Sequence, residues 1–263
     1  MTDQKPQIEN RQDPFDPARA TALAATLGTS RTFATGDPLP PFAHHIYFWD
    51  AQPPEMLGPD GHPATGSFIP DLGLPRRMWA AGRLVFHRPL LAGIRAERKS
   101  IIENVTRKSG RSGPLAFVQI RHDIRQRNAL ALTETQELVY RADGTTPAAP
   151  VPAPTDETVA VNHSCDTTQL FRYSALTFNG HRIHYDADYA RNVEGYAGLV
   201  VHGPLLAHLL MGLASRQLGN LATFAYRATN PVIAGETFAL CWRDGDVWVR
   251  GADGRLCMQA QAT

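Results

Sequence analysis

The sequence predicts an α+β protein built from two mainly antiparallel β halves. From Met78 to Ala142, β-branched and aromatic residues alternate or cluster between Gly, Pro and Asn, which is typical of antiparallel strands. The second half contains one strong helix, "HGPLLAHLLMGLASRQLGN", followed by strands that Gly-containing turns separate. The stretch "DGTTPAAPVPAPTDET" has four prolines in eight residues and indicates an extended linker over 143–158. We therefore expect an N-terminal domain over 1–142, this linker, and a C-terminal domain over 159–263.

The N-terminal half begins with little regular structure. Residues 16–27 predict a short helix, with Asp16 as the N-cap, Pro17 in the first turn and Gly28 as the stop. Residues 36–75 are rich in Pro and Gly, which disfavours long elements apart from a brief helix in "FAHHIYFWDA". We expect this segment to cover the sheet.

The helix of the second half is predicted to be buried. It begins near Pro204, which suits a first turn, and the pair Gly219-Asn220 ends it. Its apolar residues recur at helical spacing and surround much of its circumference. They are Leu205, Leu206, Leu209, Leu210 and Leu213.

The composition is that of a soluble globular protein of 263 residues, 43% hydrophobic and 19% charged, with a net charge of +1. This balance disfavours a nucleic-acid binder. The three cysteines are far apart and show no C-x-x-C spacing, so neither a disulfide framework nor a zinc site is indicated. No apolar leader and no run of about eighteen apolar residues is present, so we expect no membrane association and a cytoplasmic location.

Three polar side chains follow an apolar run in "FRYSALTFNGHRIHYD", residues 171–186. They are Asn179, His181 and His184. An unperturbed histidine has a pKa of about 6.5, so His184 could take or give a proton near neutrality, whereas Asn179 could hold a water through its amide. The segment is either a reaction centre or the polar end of an ordinary element, and we expect a strand that runs into a turn.

This segment and the following "GYAGLVVHGPLLAHLLMGLA" resemble the MaoC-like double hotdog hydratase and dehydratase family. In that family a segment [FY]-[AS]-x-[LV]-[ST]-x-D-x-N-x-x-H carries a catalytic Asp and a catalytic His. Placed without gaps, residues 173–177 match the lead-in, Asn179 stands at the Asp, His181 at the Asn and His184 at the His. Two features resemble the subgroup of hydroxyacyl-thioester dehydratases type 2. They are Asn179 in place of the Asp, and the N-terminal stretches "LGPDGHP" and "LPRRMWAAGRLVFHRPL".

The resemblance implies a double hotdog fold, in which each half is an antiparallel sheet wrapped on a central helix and the N-terminal copy is degenerate. It implies that His184 moves protons, that Asn179 holds the water, and that Gly203 donates its backbone N–H to the thioester oxygen. The physics of helix starts agrees with the last role, because the first N–H groups of a helix lack partners and Pro204 has none to offer.

Four further side chains are candidate substrate contacts: Tyr173, His181, Arg182 and His202. His181 could also be a second acid or base, or a neighbour that orients His184. His202 could equally be a packing residue.

Charged residues of the same segment leave alternatives open. Arg182, like Arg172, could receive a substrate carboxylate through bidentate pairing or could be solvated. Asp186 could orient His184 if its side chain reaches that far.

A basic segment lies in the N-terminal half. Between Arg76 and Arg127 the chain has thirteen Lys or Arg residues and three acidic ones. This charge would suit the phosphates of a CoA or carrier-protein thioester, or it could be a solvated face of the sheet.

The expected function is that of a hydro-lyase that reversibly hydrates a short enoyl-CoA, with mesaconyl-C4-CoA as the best candidate. A fatty-acid-synthesis 3-hydroxyacyl-thioester dehydratase and an itaconyl-CoA hydratase are near alternatives. No metal or other cofactor is required, the acyl-CoA is the expected partner, and edge pairing of sheets would suit a homodimer.

Two other classes remain open. A thioesterase on this fold would usually need a carboxylate in the central helix or sheet, and "PLLAHLLMGLASRQL" offers none. A catalytically silent acyl-CoA-binding protein is the other alternative, because Asn179 replaces the Asp.

Overall fold

Ten strands form one continuous antiparallel sheet in the order β1-β3-β4-β5-β2-β7-β10-β9-β8-β6. The computed structural model describes residues 7–110, 113–142 and 149–263. Strands β1 to β5 come from the N-terminal half and β6 to β10 from the C-terminal half. Their bounds are β1 Ile8–Asp13, β2 Arg76–Phe86, β3 Ala96–Gly110, β4 Gly113–Gln126, β5 Ala129–Arg141, β6 Val159–Ser164, β7 Thr223–Ala228, β8 Thr237–Arg243, β9 Asp246–Arg250 and β10 Leu256–Ala262.

Four α-helices and three 3-10 turns accompany the sheet within the described ranges. The helices are α1 Pro17–Thr26, α2 Thr167–Thr177, α3 Ala187–Asn192 and α4 Gly203–Leu218. The 3-10 turns are Ala43–Ile46, Pro54–Met56 and Arg182–His184. The short helix at the N-terminus and the Leu-rich helix are therefore confirmed, and the brief helix in "FAHHIYFWDA" is a single 3-10 turn.

The two halves meet at one pair of strands. Strand β2 pairs antiparallel with β7, with Leu84 opposite Phe224 and Gly82 opposite Tyr226. A side chain at position 82 would overlap the Tyr226 hydroxyl, so glycine allows the close approach of this aromatic ring. The sheets expected for the two halves are thus joined edge to edge into one surface.

The C-terminal half has the hotdog arrangement of a sheet around a buried helix. Helix α4 packs against β7, β8, β9 and β10. Leu205 and Leu210 are fully buried, and one apolar core joins them to Phe42, Leu84 and Phe224. In the described part of the N-terminal half, α1 is the only α-helix, and it packs on α2. A degenerate N-terminal copy accounts for this asymmetry.

The predicted linker lies partly outside the described residues, at 143–148. The described remainder does not run free: Ala153 is buried and donates its N–H to Gly254 O (2.9 Å), and Val151 O accepts from Leu256 N–H (2.8 Å). This remainder therefore packs along the C-terminal half. The boundaries of the three expected parts stay a prediction.

The segment expected to be a strand before the polar residues is helix α2. Asp166 caps it by accepting from the Gln169 N–H (2.7 Å). Leu170, Tyr173 and Ser174 are its buried residues, and their spacing of three and four is that of a helix face. The prediction was wrong because a short apolar run such as "LFRYSALTF" fits a strand as well as a helix, and its helical spacing was not given enough weight.

Within the described ranges, none of the helices combines the length and the apolar character needed to span a bilayer.

Candidate active site

A cavity of about 470 Å³ lies between the two halves and receives most of the predicted site residues. Its walls come from the turn after α2, the first turn of α4, residues 45–69 of the covering segment 36–75, and strands that include β1 to β5 and β10. From the predicted site it is lined by Tyr173, Asn179, His181, His184 and Gly203.

His184 ends a 3-10 turn and is held by a backbone carbonyl. Its Nδ1 lies 2.7 Å from Val200 O, and a carbonyl oxygen can only accept, so Nδ1 carries the proton. The Nε2 lone pair is therefore left for the cavity. Burial lowers the pKa of His184 to about 3, although the bond to Val200 opposes this. The expectation of a histidine that titrates near neutrality is corrected: the imidazole is neutral, and its Nε2 is able to accept a proton.

Asn179 stands in the turn that follows α2. Phe178 takes a left-handed conformation (φ 51°), and the Asn179 side-chain oxygen then accepts from the His181 N–H (3.0 Å). This bond occupies one acceptor site of the amide, and the NH₂ group keeps its two donors. Asn179 therefore shapes the turn and can orient a water chiefly as a donor.

His181 is next to a histidine that sequence reasoning missed. The ring of His62, from the covering segment, lies 4.3 Å from that of His181 between centroids, and the ring of His184 lies 5.4 Å from that of His181. Asp60 pairs with His62, with Asp60 Oδ2 3.0 Å from His62 Nδ1. Burial and then the neighbouring His62 lower the pKa of His181 to about 2. The "LGPDGHP" motif was the available signal, but its distance from residue 181 along the chain concealed the contact.

Gly203 is the first residue of α4. Within the described part its N–H has no intramolecular acceptor, and Pro204 offers no N–H. A Cβ on Gly203 would lie 2.9 Å from Cε3 of Trp79, so the absence of a side chain leaves room for the indole. The geometry is compatible with the predicted donor role.

His202 lies behind the cavity wall. It is fully buried, its Nε2 lies 2.8 Å from Ser174 Oγ, and its ring stacks on His184 at 3.6 Å between centroids. His202 therefore packs behind the His184 ring and does not reach the cavity as a substrate contact. Tyr173 does line the cavity, and within the described part its buried hydroxyl has no hydrogen-bond partner.

Arg182 does not reach the cavity. Its guanidinium donates twice to Asp186 Oδ2 (3.1 and 2.8 Å) and lies over the Tyr189 ring. Asp186 also caps α3 by accepting from the Tyr189 N–H (2.9 Å), so both of its oxygens are used and it does not orient His184. Arg172 is exposed on α2. Neither arginine of the predicted segment is brought to the place where a bound acyl group would lie.

Another arginine lines the cavity. Arg98 of β3 has a side chain that is 20% exposed, and within the described residues it makes no hydrogen bond. Its contacts are Glu9 at 3.8 Å and the Phe48 ring at 5.1 Å. Burial, and secondarily Arg11, lower the pKa of Arg98 to about 10. A buried guanidinium with free donors would gain from an anionic group.

Other polar groups lie near Arg98 in the cavity wall. Ser100 Oγ and His122 Nδ1 are 2.8 Å apart, and both residues line the cavity. Arg11, by contrast, is already occupied by Glu9 (2.7 Å) and Asp50 (2.8 Å). Of the thirteen basic residues between 76 and 127, Arg77 and Arg98 line the cavity, and residue 111 lies outside the described ranges.

Two groups in the described part have ligating atoms within 4.8 Å of one another and could in principle hold a metal ion: Asp60, His62 and His181; and His44, His45 and Glu134. The hydrogen bond from His62 to Asp60 explains the first group without an ion. In the second group, Glu134 lies 2.9 Å from His44 and 3.1 Å from His45, which satisfies the buried carboxylate in the same way.

The fold is that of a double hotdog protein, as comparison with solved structures shows. HtdX of Mycobacterium tuberculosis superimposes with a TM-score of 0.68 at 17% identity, over 97% of this chain and 99% of that one. A second M. tuberculosis structure, described as a double hotdog fold, gives a TM-score of 0.62 at 15% identity, over 98% and 95%. These identities support the fold alone.

Sequence comparison gives the family. The sequence model of the "Hydroxyacyl-thioester dehydratase type 2" family matches residues 42–234. The "Mesaconyl-C(4)-CoA hydratase" of Chloroflexus aurantiacus is 44% identical over 265 residues, which covers 96% of this chain and 93% of the relative. The chain belongs to the hydroxyacyl-thioester dehydratase type 2 family.

Proposed function

We propose that the protein is a hydro-lyase that reversibly adds water to a short α,β-unsaturated acyl-CoA, with mesaconyl-C4-CoA as the best candidate. The observation that carries this proposal is the sharing of one cavity by a proton acceptor, His184, and a free backbone donor, Gly203. The 44% identical relative is named for this reaction, and the chain covers nearly all of it.

The residues have separate tasks in the proposed reaction. The thioester carbonyl accepts a hydrogen bond from Gly203, which stabilises the enolate charge that forms when water adds; one such donor is typically worth about 3 kcal/mol. His184 Nε2 accepts a proton from the attacking water. The Asn179 NH₂ group, the free part of its amide, orients that water.

Arg98 in the cavity wall supports a carboxylated acyl group. Mesaconyl-C4-CoA keeps one free carboxylate after the other has become the thioester, whereas a fatty acyl chain ends in a methyl group. Arg98 has unused donors, and Ser100 and His122 lie in the same wall. A cavity of about 470 Å³ suits a short acyl group. This polarity favours a dicarboxylic thioester over the long acyl chains of fatty-acid synthesis.

Other parts of the proposal do not depend on the acyl group. The reaction needs no metal or redox cofactor, since the acid-base groups come from the chain. A cytoplasmic location and a homodimer remain predictions. A catalytically silent acyl-CoA-binding protein is disfavoured by a cavity that retains both His184 and Gly203.

The test is a panel of CoA thioesters followed by loss of enoyl absorbance: mesaconyl-C4-CoA, itaconyl-CoA, crotonyl-CoA and a ten-carbon 2-enoyl-CoA. We expect the highest kcat/KM with mesaconyl-C4-CoA. Arg98→Met should lower that value about 100-fold, as expected for loss of a buried charge-assisted pair, and change crotonyl-CoA hydration less than about 3-fold. Arg88→Met, an exposed arginine on the same half, is the control.

The panel also separates the alternatives. Preference for the ten-carbon substrate would indicate a fatty-acyl dehydratase and contradict the role of Arg98. Binding of all four thioesters without hydration would indicate the silent protein and overturn the proposal.

A further inference from the structure

The proposed hydration needs two proton transfers, and His184 accounts for one of them. A proton leaves the water and another proton must reach the α-carbon of the acyl group. Asn179 cannot exchange a proton at accessible pH, and Arg182 lies outside the cavity. A group that carries the second proton is therefore required, or His184 must serve twice.

Asp60 and His62 form a carboxylate-imidazole pair in the same cavity. Asp60 Oδ1 accepts from the His62 backbone N–H (3.1 Å), and Oδ2 lies 3.0 Å from the ring Nδ1. Since the carboxylate can only accept, Nδ1 donates and Nε2 is left free. His62 lines the cavity beside His181. The pair thus leaves one ring nitrogen unpaired in the wall of the cavity that His184 also lines.

Backbone contacts fix this pair relative to the catalytic turn. The Arg182 N–H donates to Asp60 O (2.9 Å). Gly61 and Gly180 pack directly against each other: a Cβ on Gly180 would lie 2.7 Å from Gly61 O, and one on Gly61 would overlap Gly180 O. Two glycines allow the loop 58–63 and the turn 179–182 to touch. His62 is therefore held against the same turn that positions His184.

The charges around the three imidazoles favour His62 as the one that carries a proton. Its facing groups are Asp60 of its own loop, Arg77 of β2, and the rings of His181 and His184. Burial lowers the pKa of all three histidines, and Arg77 acts in the same direction on His62. Of the three, His62 alone has a hydrogen-bonded carboxylate, which compensates an imidazolium charge.

We propose that the Asp60–His62 pair is the second proton-transfer unit of this site, with His62 as a catalytic residue and Asp60 as its positioning residue. The inference rests on the proposed hydration. In this proposal the N-terminal half supplies, through His62, the acid that the C-terminal motif lacks.

The step balances without a co-reactant. The water oxygen bonds to the β-carbon while its proton passes to His184 Nε2, and the electron pair of the double bond moves to the α-carbon and the thioester oxygen. A proton on His62 Nε2 then forms the new α-carbon–hydrogen bond. One proton returns from His184 to His62 through His181, whose ring neighbours both of theirs, or through water, and the site is restored. Dehydration follows the reverse order.

Steady-state kinetics of three variants test the inference: His62→Gln, Asp60→Asn and the exposed control His87→Gln. We expect His62→Gln to lower kcat at least about 100-fold with KM changed less than about 3-fold, as for loss of a general acid. Asp60→Asn should lower kcat at least about 10-fold and move the alkaline limb of the pH profile to lower pH, since the His62 pKa falls without its carboxylate. Activity should survive EDTA.

Other results would overturn the inference. Near-normal kcat in His62→Gln would show that His184 serves twice. Loss of activity on chelation, with recovery on adding zinc, would show that the Asp60, His62 and His181 group holds a metal. A fall in kcat with an unmoved pH profile in Asp60→Asn would indicate a purely structural pair.

A second measurement needs neither turnover nor a variant. Imidazole nitrogen NMR of the wild-type protein, saturated with a non-hydratable acyl-CoA ether, should show His62 as the first of the three histidines to gain a proton as the pH falls. Prior protonation of His181 or His184 would contradict the inference. If the wild type hydrates no thioester of the panel, the proposed function fails, and this titration still decides whether the pair behaves as inferred.

Discussion

The environment of His184 determines which form of the imidazole meets the substrate. Val200 O fixes the proton on Nδ1, and His202 stacks behind the ring. Ser174 in turn holds His202. The ring therefore has one orientation and one free nitrogen, and its burial keeps it neutral. Such fixed geometry is what general base catalysis requires.

His184→Ala should lower kcat at least about 100-fold with the fold intact, because it removes the water's proton acceptor. Hydration assays and circular dichroism of the variant would measure both effects. The matched control is His163→Ala, a histidine of strand β6 that does not line the cavity. Near-normal turnover would remove His184 from the mechanism.

The contact between two loops is the feature of the site that depends most on glycine. Gly61 has φ +86°, and any side chain there would overlap the Gly180 carbonyl. Gly28 has a similar φ of +79°, but a Cβ at that position would meet no other atom within 4 Å. A side chain would therefore strain the backbone at both positions, but only at Gly61 would it also push the two loops apart. Comparing the two substitutions distinguishes a loss of stability from a loss of alignment in the site.

Gly61→Ala should lower kcat at least about 10-fold, because the loop that carries His62 must move away from the turn that carries His184. Gly28→Ala should cost about 1 kcal/mol of unfolding free energy from left-handed strain and leave kcat unchanged. Chemical denaturation and steady-state kinetics would measure both. Equal kinetic effects of the two substitutions would show that the loop contact is unimportant.

The whole molecule is held together by the shared sheet and by a buried polar cluster under the covering segment. Glu134 of β5 is 2% exposed, and His44 and His45 of the covering segment both contact it. Burial raises the pKa of Glu134, but the two imidazoles outweigh this and hold it well below its usual value of about 4.5. The ionised carboxylate thus ties residues 43–46 to the sheet.

Glu134→Gln should lower the free energy of unfolding by about 3 kcal/mol at pH 7, since it removes one partner of a buried pair. The folded-state pKa is depressed, so this stabilisation is fully present above about pH 4.5 and is lost as the pH falls through the folded-state pKa. Urea unfolding of both proteins from pH 7 to pH 3 would measure the difference. A difference that grows on acidification would contradict the assignment, and Glu137→Gln, a half-buried neighbour on β5, is the control.

Local sequence patterns determined several secondary-structure elements of this protein. The caps of α1, the apolar periodicity of α4 and the strand composition after Arg76 depend on neighbouring residues, and these elements were predicted from them. The motif around His184 and Gly203 was also readable, because its residues lie within 25 positions and its lead-in and helix start have characteristic sequences. Helix α2 was the exception, since a short apolar run is compatible with both a strand and a helix face.

The tertiary structure alone decided which distant groups share the cavity. His62 lies more than a hundred residues from His184, and Arg98 belongs to a strand whose sequence resembles a solvated face. Arg182 was the natural candidate for a carboxylate until Asp186 was seen to occupy it. Burial, which shifts the His184 pKa to about 3, is likewise a property of the packed molecule. A sequence records local propensity, whereas desolvation and contacts across the sheet arise only when the chain closes on itself.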